Sequence, residues 1–196
     1  MSLIEQLTQQ ISGQALQSLS QQIGADPNTT NAAISAALPM LVGAMAKNAS
    51  TQDGAASLHN ALANDHDGSI LDNLGSFLGS PDNGPGAGIL RHVLGAKQTG
   101  VEQGVSQLSG MDASKVTMLL QNLAPLIMGY LGQQQRKQGL DIGGLASILF
   151  QEKSRAAQGS GTGSSALDML GGLLDQDGDG SFLDDIGGML GGFLKR

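Results

Sequence analysis

The residues best spaced for chemistry are Asp175-Gln176-Asp177-Gly178-Asp179-Gly180-Ser181. In calcium loops, carboxylates at positions 1, 3 and 5 converge on the ion. Gly at 6 permits the sharp turn, and the residue at 7 supplies a backbone carbonyl. Asp175, Asp177, Asp179, Gly180 and Ser181 fill those places. The end of the loop departs from the pattern. Ile186 stands where a bidentate Glu belongs, Leu183 offers no ligand, and the acids come early, at Asp184 and Asp185. The metal reading therefore names Asp175, Asp177, Asp179, Ser181 and Asp184, with calcium as the ion. A second reading needs no metal, because Asp-Gly turns are common and Ser181-x-x-Asp184 caps a helix unaided. Crowded carboxylates repel one another, and a cation would relieve that. Both readings stand open at this point.

An earlier stretch carries a shortened version of the same set. Asp65, Asp67, Ser69 and Asp72 form the second candidate metal site, with Ala63 in the place of Asp175. Otherwise these residues are a turn and a helix cap. His59, His66 and His92 have no metal-ligand spacing with one another. His66 is expected to face solvent, and the other two to be ordinary helix residues. No nucleophile elbow, phosphate loop or paired-acid site is present, so no catalytic residue is assigned and the protein is expected not to be an enzyme.

The elements that must position these loops are helices. Leu38-Pro39-Met40-Leu41-Val42-Gly43-Ala44-Met45 returns as Ala124-Pro125-Leu126-Ile127-Met128-Gly129-Tyr130-Leu131, pairing Pro39 with Pro125 and Gly43 with Gly129. Both copies read as apolar all round, hence buried. Asp26 and Asp112 should cap them, and each proline should bend or break its helix. The match continues upstream at Gly24-Ala25-Asp26 and Gly110-Met111-Asp112, and downstream from Asp65, Asp67 and Asp72 to Asp177, Asp179 and Asp184. The expected architecture is all-α with two pseudo-repeats and roughly eight to ten helices of ordinary length.

Ser2-x-x-Glu5 opens the first helix as a capping box, and Ile4, Leu7, Ile11, Ala15, Leu19 and Ile23 give it one apolar stripe. Ala55, Leu58 and Leu62 mark a third helix, from about residue 54 to 63. The expected division is a helical core over 1–156, a Gly/Ser linker over 157–165, and a Gly-rich tail over 166–196. That tail carries the acidic loop and an amphipathic helix.

Composition narrows the function classes. The chain has 196 residues, four Phe, one Tyr and no Trp, so its core comes from Leu, Ile, Met, Val and Ala, a palette that suits helices. A formal charge of −7 with only ten Lys and Arg speaks against nucleic acid, whose phosphates need clustered cations. Arg136, Lys137, Lys153 and Arg155 form the one loose basic group. With no cysteine, disulfides and thiolate sites are excluded. The N-terminus lacks a basic region followed by an apolar run, and the apolar runs near 32–46 and 116–131 fall short of the ~20 residues that span a bilayer. The protein is expected to be soluble and cytoplasmic.

The central helix, Asp65-His66-Asp67-Gly68-Ser69-Ile70-Leu71-Asp72, Val101-Glu102-Gln103-Gly104 and Gln138-Gly139-Leu140-Asp141 together resemble the bacterial domain-of-unknown-function family 937, in the YidB-like group. The resemblance covers about residues 1–152. It implies an all-helical, YidB-like fold with a homeodomain-like helix arrangement, and it transfers no catalytic residue. The expected function is non-catalytic: a helical protein that binds a protein partner or itself, tuned by calcium. The alternative is a membrane-surface factor acting through the C-terminal helix, or a DNA-associated one. A hydrolase is the distant third.

Overall fold

The computed structural model describes residues 2–66, 68–78, 85–158 and 162–174. These residues are all-α and contain no strand. The helices are α1 (Leu3–Gln10), α2 (Gln14–Ile23), α3 (Pro27–Asn48), α4 (Gln52–Asn64), α5 (Ser69–Asp72), α6 (Leu74–Leu78), α7 (Gly86–Leu94), α8 (Gln98–Ser109), α9 (Ala113–Gln138), α10 (Ile142–Gln158) and α11 (Thr162–Leu174). A single 3-10 turn, Gly95–Lys97, joins α7 to α8.

Eleven α-helices among the described residues exceed the expected number because two expected helices are each divided. The N-terminal stripe is one apolar surface on two helices. Gly13 takes φ +61 between them, a left-handed conformation that costs other residues free energy. Leu3, Leu7, Ile11, Leu19 and Ile23 still reach the core together. The segment after Gly68 is likewise split, at Asn73, into α5 and α6.

Helix starts follow the capping chemistry. Glu5 N–H donates to Ser2 Oγ at 3.0 Å, and Ser2 N–H donates to Glu5 Oε2 at 2.8 Å, the reciprocal capping box. Asp26 Oδ1 accepts from the amides of Asn28 (3.0 Å) and Thr29 (2.9 Å) at the start of α3, with Pro27 in the first turn. Hydrogen bonds from the Thr29 side chain and amide hold the Asp26 carboxyl below its ordinary range. Asp112 departs from the expected symmetry. It occupies the N-cap of α9 in extended backbone, but its side chain makes no capping hydrogen bond. Gly139, left-handed at φ +61, ends α9, and Asp141 Oδ1 accepts from Gly144 N–H at 2.7 Å at the start of α10.

The two proline-bearing helices form the centre, and neither breaks. α3 runs through Pro39 for 22 residues and α9 through Pro125 for 26. From Ala36 to Ala46 every residue of α3 is buried, and so is every residue of α9 from Asn122 to Gly132. α3 is covered chiefly by α8, α10 and α11, and α9 by α7, α4, α5 and α8. Because its first turn is polar and still helical, α3 is longer than its apolar run. It is the one described helix long and apolar enough to cross a membrane, and it is mostly buried in the core, as a central helix must be.

Residues 159–161 of the linker expected at 157–165, and residues 175–196 of the tail expected from 166, lie outside the described residues. α10 continues to Gln158 and α11 begins at Thr162. Ala166, Leu167 and Leu170 are buried in the same core as α3. Burial of those three side chains against α3 outweighs the weak helix propensity of the glycines of α11.

Two close approaches locate where the covering elements lean on the centre. A Cβ at Gly43 would come within 2.9 Å of the Cδ2 atoms of Leu167 and Leu170, the free ends of flexible side chains. A Cβ at Gly132 would instead collide with the main-chain carbonyl of His66. Ala in a helix interior is worth about 0.5–1 kcal/mol over Gly, whereas overpacking against backbone costs typically 1–3 kcal/mol. Gly43→Ala is therefore expected to leave stability near the parent value, and Gly132→Ala to lower it by about 1–2 kcal/mol. Urea denaturation of the two variants side by side checks the contrast.

Candidate functional site

The strongest metal pattern, Asp175, Asp177, Asp179, Ser181 and Asp184, lies outside the described residues, as does Asp67 of the second set. The rest of that second set can be placed. Asp65 is the C-cap of α4, Ser69 is the first residue of α5 and Asp72 its last, and all three are exposed. Among the described residues no group of three or more His, Asp or Glu side chains is placed to hold a metal ion.

The same turn borders a different feature. A groove of about 800 Å³ runs between the C-terminal end of α3, α4, the turn at Asp65 and His66, and α7. Met45, Leu58, Ala61, Ile89, Val93 and Met128 give it apolar walls, and Asn48, Thr51, Asp65, His66 and His92 give it polar edges. Its geometry follows from local chemistry. Asn48 closes α3 and donates from Nδ2 to the carbonyls of Val93 (2.9 Å) and His92 (3.4 Å). These belong to the last turn of α7, whose final carbonyls lack helical donors. One side chain thus fixes the end of α7 against the end of α3. Thr51 accepts from Gly54 N–H at 3.2 Å as the N-cap of α4, which sets the opposite wall.

His66 and His92 both line this groove, although nothing in their spacing pairs them. His92 is exposed, as a surface helix residue should be. His66 is half-buried rather than solvent-facing. The reason is the approach of its own carbonyl to Gly132, which presses the turn against α9. Burial pushes the His66 imidazole below its ordinary value, and the neighbouring Asp65 carboxylate opposes that only in part. His59 sits half-buried on α4, with its carbonyl accepting from Gln135 Nε2 at 3.4 Å.

The loose basic group does not gather into one surface. Arg136 and Lys137 are exposed in the last turn of α9, where cations complement the helix dipole. Lys153 is half-buried, and its ammonium is pushed down to about 8 by burial, with the charge of Lys47 adding to the effect. Arg155 is paired with Glu152 at 3.1 Å. Sequence reasoning missed the environment of Lys153 because no periodicity distinguishes a half-buried lysine from an exposed one.

The model of the family described as "Bacterial protein of unknown function (DUF937)" matches residues 5–134, more than half of the chain, and the chain belongs to that family. No curated protein and no solved structure matches it.

The His66 environment has a consequence for stability. A depressed imidazole pKa favours the neutral ring in the folded state. That contribution is present above the ordinary value of about 6.5 and is lost as pH falls through the lower folded value. Replacing the ring removes the dependence. Denaturation midpoints at pH 7.5 and at about pH 5.5 are expected to converge in His66→Gln relative to the parent protein.

Proposed function

We propose that this member of the DUF937 family is a non-catalytic helical protein that binds a protein partner or a second copy of itself. The observation that carries the reading is the groove at the end of α3, with its apolar walls of Met45, Leu58, Ile89 and Met128 and its polar edges. Of its polar edges, Asn48 and Thr51 are engaged in holding α7 and α4.

The duplication belongs to the same reading. Gly24 and Gly110 are both left-handed and are followed by Asp26 and Asp112 at the N-caps of α3 and α9. Packing is reciprocal, too. α4 and α5 from the first half lean on α9, and α11 from the second half leans on α3. Such exchange between halves supports two pseudo-equivalent units that fold as one body and leave the groove at their junction.

Sedimentation velocity across a concentration series tests self-association, and affinity capture with purified protein tests a partner. An Ala61→Asp variant places a charge on the half-buried α4 wall of the groove and is expected to abolish the association. Association unchanged in that variant would move the contact elsewhere. A protein that stays monomeric and captures nothing would defeat the proposal.

Calcium tuning rests on a separate observation, the ligand order of Asp175, Asp177, Asp179 and Ser181, with Asp184 closing the loop early. Calcium titrated into the full chain is expected to give saturable heat that disappears in Asp177→Asn/Asp179→Asn, because both substitutions remove charge from converging ligands. No heat in the parent protein would leave the turn-and-cap reading of that loop.

A further inference from the structure

A second cleft, of about 620 Å³, lies on the far side of α3, bounded by α1, α10 and the start of α11. It contains a charge that the fold does not fully satisfy. Glu152 is 5% exposed, Oε1 accepts from Arg155 at 3.1 Å, and Oε2 is buried with no hydrogen-bond partner. An ionised oxygen held away from water without a donor is unfavourable, so a group that donates to it would be strongly preferred.

The surroundings define what that donor would be. Thr8 and Ser35 both line the cleft, and each directs its hydroxyl proton to its own helix, to the carbonyls of Ile4 (2.8 Å) and Asn31 (2.9 Å). Their oxygens therefore face other groups as acceptors. The carbonyl of Ser35 has no amide donor four residues on, because that position is Pro39. Among the described residues that line it, two carboxylates, Glu5 and Glu152, outnumber the one guanidinium of Arg155. Ile4, Pro39 and Ala156 add aliphatic surface.

An acceptor-rich, net-negative cleft with aliphatic walls fits a donor-only cation on a short hydrocarbon chain. We propose that this cleft binds a small primary alkylammonium, whose three N–H donors engage Glu152 and the hydroxyl oxygens while its chain lies against Ile4, Pro39 and Ala156. Arg155 is the gate to it. Its side chain is 60% exposed, and it competes for the same carboxylate. The cleft is remote in chemistry from the groove near His66, so this proposal stands or falls separately from the association proposed above.

The test titrates n-butylammonium chloride into the full-length protein and follows backbone amide shifts. Uncharged n-butanol is the control for the aliphatic chain. Saturable shifts at Thr8, Ser35 and Ala156 with n-butylammonium, and none with n-butanol, are expected. Glu152→Gln keeps the shape and removes the charge, and it should weaken binding at least about tenfold, as loss of one partner of a buried charge pair does. Arg155→Gln removes the competing cation and should tighten binding, and it serves if the Glu152 variant does not fold. No saturable response to n-butylammonium at millimolar concentrations overturns the proposal. So does an equal response to n-butanol, or an affinity that neither variant changes.

Discussion

Two long helices whose central stretches have no polar face have to be covered there on every side, and most of the structure follows from that. An α-helix that is apolar all round is stable only when surrounded. α3 buries every residue from Ala36 to Ala46, including Leu38, Met40, Leu41, Val42 and Met45. At roughly 1.5–3 kcal/mol for each large side chain fully buried, this stretch outweighs the propensity terms of any covering helix, which are about 1 kcal/mol per residue or less. That is why short or Gly-rich segments such as α5, α7 and α11 are helical here at all. They are too short to be stable alone, and they fold by lying on α3 or α9.

Burying a proline-bearing helix raises a second problem, since each proline leaves a carbonyl without its helical donor. The two halves treat it differently. Pro125 frees the carbonyl of Gln121, and Gly86 at the start of α7 packs directly against that oxygen, so closely that any side chain there would collide. Pro39 frees the carbonyl of Ser35. There α11 begins close by, with Gly163 against the proline ring, and a cleft remains beside it. Where one half is plugged by a helix terminus, the other keeps space and polar acceptors. Two similar proline-bearing stretches thus meet different surroundings, and the one at Pro39 keeps room for a ligand.

The signals legible in the sequence were local ones. The capping box at Ser2 and Glu5, the Asp26 cap and the helix marked by Ala55, Leu58 and Leu62 are all chemistry within a few residues. Gly43 meets the side chains of Leu167 and Leu170, residues far away in sequence. What was not legible depended on tertiary contact. Gly13 was compatible with a continuous amphipathic helix, and only the path of the chain divides it. α11 reads as part of a linker and tail because burial against α3, not composition, makes it a core helix. His66 reads as solvent-facing because the glycine that receives its backbone lies on another helix. Arg155 reads as part of a loose basic group, since nothing local reveals that its partner Glu152 is buried.

The family match ends at residue 134, close to the end of α9, yet the core does not end there. α10 and α11 both lie on α3, and Leu145, Leu149, Ala166, Leu167 and Leu170 belong to the same buried cluster as Leu38 and Leu41. Without them, the α10 and α11 side of α3 would be bare hydrocarbon, a surface larger than soluble proteins commonly leave exposed. A chain built on two all-apolar helices therefore needs a covering element wherever α3 would otherwise be open, whether or not that element resembles the family in sequence. The requirement falls on apolar area and helix length rather than on particular residues, so Gly-rich helices of variable sequence can meet it. The same reasoning separates what the matched region supplies, the central pair and its caps, from what the following residues supply. They close one side of α3 and, in doing so, form the walls of the cleft beside Pro39.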